Sequence, residues 1–227
     1  MNRFKLCLLG CLLFFALNHS FAQESSWDST YRPAIYPLLV EQFKSFPKAS
    51  SDVVFLGNSI TAGTDWNELL QLPTARNRGI SGDITYGVLE RLDDVISGKP
   101  SKIFILIGIN DISKNIPDDT ILNNYAKIVD RIQTGSPKTD IYFQTLLPVN
   151  ASFGKFKNHY EKDQHILYVN EGIRKLTNEK NIQLIDLYPH FLDGDNHLKA
   201  SLTHDGLHLR IEGYQVWAKI LKDGGYL

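Results

Sequence analysis

Val53-Val54-Phe55-Leu56-Gly57-Asn58-Ser59-Ile60-Thr61 is a β-branched and aromatic run that stops abruptly at Gly-Asn-Ser. A continuous apolar run of this length, without polar alternation, reads as a strand buried on both faces. The residues that follow it, Asn58 to Leu70, have the spacing of a helix. The same alternation continues along the chain. Short strands are predicted at Ala75 to Arg78, Ile103 to Ile107, Asp140 to Gln144 and Ile182 to Leu187. Helices are predicted from about Ile84 to Ser97, Asp118 to Thr134, Asp163 to Lys180 and Ile211 to Leu221. Buried strands alternating with helices imply an α/β fold, a three-layer α/β/α sandwich around a central parallel, flavodoxin-like sheet of about five strands.

Parallel sheets of this kind bind ligands beyond the carboxyl ends of their strands. That edge selects the residues worth weighing. Ser59 follows the first strand and precedes a helix, so its hydroxyl lies where backbone N–H groups can stabilise an anion. Taken alone, Asn58-Ser59 reads as a helix cap. Arg78-Gly79-Ile80-Ser81-Gly82-Asp83 places two glycines after the second strand, either for an ordinary turn or for close approach of backbone to a substrate. Ile107-Gly108-Ile109-Asn110-Asp111 follows the third strand. Its Asn110 amide is either an Asx-turn or a neutral donor to an oxyanion, and Asp111 is expected to brace the loop or cap a helix. Asp205-Gly206-Leu207-His208 sets an acid and an imidazole three positions apart, on one turn of helix or in a tight loop. Two irregular segments, Leu146 to Lys162 and Tyr188 to Thr203, carry Phe153, Phe156, Tyr160 and Phe191 as either pocket walls or surface packing.

The N-terminus poses a separate question. Arg3 and Lys5 precede an apolar stretch from Leu6 to Leu17, and Ser20-Phe21-Ala22 closes it with small residues, the pattern of a signal peptide over residues 1–22. About 12 apolar residues fall short of the roughly 20 that span a bilayer. Leu8-Leu9-Gly10-Cys11 has some likeness to a lipobox, but the apolar run continues beyond Cys11. Export to the periplasm or beyond the cell, without stable membrane insertion after cleavage, is the expectation. Residues 23–50 are expected to form an extension packed on a domain spanning 51–227.

Both cysteines, Cys7 and Cys11, fall in that leader, so the mature chain is expected to hold neither a disulfide nor a thiolate metal site. Its net charge would move from −1 to −3, with 22 basic against 25 acidic residues. No basic run is present, which argues against nucleic acid or an anionic membrane as partner. His159, His165, His190, His197 and His204 show no two-histidine helical spacing for a metal, and His204 is read as a bystander beside Asp205. The sequence fixes no oligomeric state.

Each signal is weak alone, but the four islands fall in one order at strand ends. Through Gly57-Asn58-Ser59-Ile60-Thr61, Asn77-Arg78-Gly79-Ile80-Ser81-Gly82-Asp83, Gly108-Ile109-Asn110-Asp111 and Asp205-Gly206-Leu207-His208, the chain resembles the SGNH hydrolases. That superfamily is also called the GDSL-type lipase/acylhydrolases. The resemblance runs from Asp52 to Leu221, and the block from Trp66 to Leu92 looks most like the acetylhydrolase branch that includes the platelet-activating-factor type. It implies Ser59 as nucleophile, His208 as general base, Asp205 as its orienting partner, and Ser59 N–H, Gly82 N–H and the Asn110 amide as oxyanion donors. No metal or organic cofactor is implied. The implied reaction is acyl transfer from a small-molecule or glycan ester to water, with a carbohydrate acetyl group favoured. Lysophospholipase or thioesterase activity, and a silent glycan-binding relative, are the alternatives. Asn58 stands where the family usually has aspartate, outside its catalytic roles.

Overall fold

A computed structural model describes residues 27–227; the predicted leader, residues 1–22, lies outside them. Helix α1 (Tyr36–Ser45) precedes strand β1 (Val53–Gly57), and two short helices follow, α2 (Ser59–Ala62) and α3 (Trp66–Leu70). Then come β2 (Ala75–Gly79), α4 (Thr85–Ser97), β3 (Lys102–Leu106), α5 (Ile109–Ser113), α6 (Asp118–Gly135) and β4 (Asp140–Gln144). The chain closes with α7 (Asp163–Lys180), β5 (Gln183–Ile185), α8 (Tyr188–Phe191) and α9 (Ile211–Asp223).

The five strands are parallel and ordered β2-β1-β3-β4-β5. This is the doubly wound flavodoxin-like order, in which the connections diverge from β1 and β3 to opposite faces. The α/β/α architecture expected from the alternation is therefore the fold observed. Register aligns Phe55, Phe104 and Tyr142 on neighbouring strands. Their rings stack at 4.9 and 4.6 Å, and Trp66 of α3 continues the stack 4.1 Å from Phe55. Trp217 of α9 meets Trp66 edge-on at 4.8 Å. On the other face α4, α6 and α7 pack side by side, and Tyr125 of α6 lies 4.8 Å from Phe143 of β4. Burial of large apolar and aromatic side chains on both faces makes the sheet rigid, and its C-terminal edge is a fixed platform.

One local expectation needs correcting. The single helix expected over Asn58 to Leu70 is two, because Asp65 starts a new one: its carboxylate accepts Asn67 N–H and Glu68 N–H at 2.9 and 3.2 Å. Helix α1 had no counterpart in the strand-and-helix pattern. Its Tyr36 and Phe43 pack with Ile80 from the loop after β2, with Leu39 and Val40 alongside. The segment before β1 thus supports the loop that carries Gly82.

Candidate active site

All five residues picked out at the strand edge line or support one cleft of about 760 Å³; Ser59, Gly82, Asn110 and His208 form part of its surface. Ser59 is the first residue of α2, held by the Asn58 cap, whose Oδ1 accepts Ile60 N–H at 2.9 Å. His208 Nε2 lies 2.9 Å from Ser59 Oγ, and His208 Nδ1 lies 2.8 Å from Asp205 Oδ2. The Asp205-to-His208 segment is a tight loop, not a helix. Thr203 Oγ1 accepts Gly206 N–H at 2.9 Å and donates to the His208 carbonyl at 2.6 Å, and Gly206 has φ +87°. Asp205 Oδ1 accepts the N–H groups of Leu207 and His208 at 3.0 and 2.7 Å. Burial pushes the Asp205 carboxyl up, but these donors and the imidazole outweigh it and hold it below its ordinary value.

Gly82 sits at φ +80°, a left-handed conformation that favours glycine, above Tyr31 and Pro33. No protein acceptor takes the N–H of Ser59 or Gly82 among the described residues, so both stay available at the cleft. The Asn110 amide is fixed from both sides. Its Nδ2 donates to the Asp83 carbonyl at 2.9 Å, and its Oδ1 lies 3.1 Å from His159 Nε2. One amide N–H remains uncommitted. A hydroxyl paired with an imidazole, which is paired with a carboxylate, can be deprotonated as it attacks a carbonyl. Three convergent N–H groups can hold the oxyanion that forms.

Two supports of this site escaped the sequence reading. Arg91 of α4 reaches across the sheet edge: it donates to the Arg78 carbonyl at 2.8 Å and the Gly57 carbonyl at 3.1 Å, and pairs with Asp83 at 3.0 Å. Its signal was a cation on the apolar face of α4, three residues after Val88 and four before Val95. His159 is the second. Burial, helped by His208 and Lys114, pushes its pKa down to about 4, so the ring is neutral at ordinary pH. Its Nδ1 is buried without a partner, which makes Nε2–H the donor to Asn110. A histidine in an irregular loop carries no periodic signal. A further support, Asp111, caps a helix, as the sequence led one to expect. It accepts Thr85 N–H at 3.0 Å and Thr85 Oγ–H at 2.5 Å at the start of α4, and burial pushes its pKa up to about 7.

His204 shares a face with Asp205 despite being its chain neighbour. Its exposed imidazole lies 3.3 Å from Asp205 Oδ2 and stacks on His208 at 6.1 Å, because the tight loop turns neighbouring side chains to one side. His204, Asp205 and His208 offer three ligand atoms within 4.8 Å. A cation there would take Asp205 Oδ2 away from the His208 hydrogen bond. Of the two irregular segments, the first is a wall: Phe156 packs edge-on against His208 at 5.0 Å and lines the cleft. The second lies behind it. Phe191 is buried in the core, and Leu198 N–H and C=O bond Val149 and Asn150.

A profile of the GDSL-like Lipase/Acylhydrolase family matches residues 55–216, which contain every one of these groups. The chain belongs to the GDSL-like lipase/acylhydrolase family. Among curated relatives, the platelet-activating factor acetylhydrolase IB subunit alpha2 of Rattus norvegicus is 31% identical over 177 residues, 75% of this chain and 73% of the relative. Among solved structures, an acylhydrolase from Bacteroides fragilis superposes with a TM-score of 0.71 at 28% identity, covering 82% of this chain and 92% of the other. The acetyl xylan esterase AlAXEase superposes with a TM-score of 0.65 at 25% identity, covering 76% and 98%. As a GDSL-type acylhydrolase, the chain is an ester hydrolase.

Proposed function

We propose that this acylhydrolase is an exported serine esterase that removes small acyl groups, chiefly acetyl, from a carbohydrate ester. The carrying observation is the continuous chain Ser59 Oγ, His208 Nε2, His208 Nδ1, Asp205 Oδ2 at the mouth of a cleft with uncommitted N–H donors. Ser59 Oγ attacks the ester carbonyl as His208 takes its proton, and Asp205 stabilises the imidazolium that results. Ser59 N–H, Gly82 N–H and Asn110 Nδ2–H hold the oxyanion. His208 then protonates the departing alcohol, and water repeats the attack on the acyl-serine.

An acetyl group is favoured because two relatives with different names, an acetylhydrolase and an acetyl xylan esterase, share that acyl group. A sugar alcohol suits the lining of the cleft, where Ser81, Ser113 and Asn158 supply hydrogen-bonding groups. Export rests on the leader pattern of residues 1–22. No helix among the described residues is long and apolar enough to cross a membrane.

The test is hydrolysis of 4-nitrophenyl acetate by wild type and Ser59→Ala, with circular dichroism to verify folding. Loss of turnover in a folded variant is expected, and persistence would remove Ser59 from its role. Preference for octanoyl over acetyl esters would overturn the small-acyl assignment.

A further inference from the structure

Acidic residues outnumber basic ones in this chain, yet the side chains lining the cleft include Lys114, Lys155 and Lys157 and no carboxylate. None of these three lysines pairs with an acid among the described residues. Cations elsewhere commonly do, as in Arg32–Glu90, Lys48–Asp94 and Lys180–Asp130. Their positions follow from the catalytic scaffold. The Lys114 backbone N–H bonds the Asn110 carbonyl at 3.1 Å, one turn after the oxyanion amide. Its ammonium lies 3.4 Å from the centre of the Tyr31 ring, which holds the charge in place without neutralising it. Lys155 and Lys157 flank Phe156, and the contact of that ring with His208 anchors the pair at the rim.

Three unneutralised cations around one concave site repel each other and focus a positive potential into it. We infer that the ester taken by this site carries a negative charge, a carboxylate or a phosphate, on its alcohol portion. This inference rests on the assignment of Ser59 as nucleophile. An acetyl group is neutral, so the charge belongs to the leaving group, which in a carbohydrate ester means an acidic or phosphorylated sugar. The lysines then act before the chemistry, raising capture of the anionic substrate and discriminating against neutral ones.

The test compares 4-acetoxybenzoate and 4-acetoxyphenyl phosphate with neutral methyl 4-acetoxybenzoate. At low ionic strength kcat/KM is expected to favour at least one anion by about tenfold or more, and the advantage should shrink in 0.5 M salt as screening shortens the reach of the field to about 4 Å at that concentration. Whichever anion gains more identifies the carboxylate or the phosphate. The triple variant Lys114→Gln, Lys155→Gln, Lys157→Gln should bring the ratio of anionic to neutral kcat/KM close to one. A ratio near one in wild type, or one unchanged by the triple variant, overturns the inference while Ser59-dependent turnover of the methyl ester keeps the esterase assignment intact. Binding of 4-hydroxybenzoate, 4-hydroxyphenyl phosphate and methyl 4-hydroxybenzoate to the Ser59→Ala protein reads the same preference without turnover. Equal affinities of all three would likewise overturn it.

Discussion

His159 Nε2 lies 3.1 Å from Asn110 Oδ1, while Asn110 Nδ2 donates to the Asp83 carbonyl at 2.9 Å. The amide is therefore oriented before substrate arrives, and its free N–H has one direction to face. An oriented donor stabilises an oxyanion without reorganising during reaction.

His159→Gln keeps a donor for Asn110 Oδ1, whereas His159→Ala removes it. We expect His159→Ala to lower kcat by about tenfold with little change in KM, against 10²–10³ for loss of an oxyanion donor itself. His159→Gln should recover most of the loss. Steady-state kinetics on 4-nitrophenyl acetate check this, and equal losses in both variants would reduce His159 to a packing residue.

His159 also predicts an acid dependence of stability. Its pKa in the fold is about 4, against an ordinary 6.5. Between these values the unfolded chain binds a proton that the folded chain refuses. The stability this group contributes is therefore complete above pH 6.5 and is lost as pH falls through 4. Asp111, raised from 3.8 to about 7, acts in the opposite sense: its contribution is complete below pH 3.8 and lost as pH rises through 7. His159→Gln should thus flatten the fall of Tm between pH 6.5 and 4 relative to wild type. Parallel curves would assign the acid limb to other groups.

Arg91 and Asp83 form a fully buried pair that joins the ends of β1 and β2 to the Gly82 loop. Arg91→Met leaves the Asp83 charge and two carbonyls without their partner. The expected cost is about 3–5 kcal/mol in urea unfolding. Adding Asp83→Asn should return part of it, because the stranded charge is gone. A single-variant loss below 1 kcal/mol would show that the pair is not a structural tie.

Asn58 Oδ1 accepts Ile60 N–H, but its Nδ2 is buried with no acceptor. Asn58→Asp keeps the cap acceptor, removes the stranded donor and adds a charge at the start of α2. These effects oppose each other. Turnover of 4-nitrophenyl acetate should stay within about tenfold of wild type, or roughly 1.4 kcal/mol in barrier. A larger fall would give the neutral amide a specific part in setting the Ser59 turn.

The sequence by itself determined the sheet. Val53 to Leu56 and Ile103 to Ile107 read as buried strands because apolar continuity is a property of neighbours in the chain. The strand-edge rule then singled out Ser59, Gly82, Asn110 and the Asp205–His208 pair, since each directly follows, or can return to, one edge. Local pattern did not separate α2 from α3, where a single cap at Asp65 decides the break. Only the tertiary structure decided how the loops surround that edge. It set His208 beside Ser59 across 149 residues, turned His204 onto Asp205, and brought His159 under Asn110. It also drew three lysines from two distant segments around one cleft. Irregular loops have no repeat that encodes direction. Their side chains are placed by a few long-range anchors, such as Tyr160, whose hydroxyl accepts Lys155 N–H and reaches the Asp205 carbonyl. Such anchors exist only once the sheet has brought distant segments together.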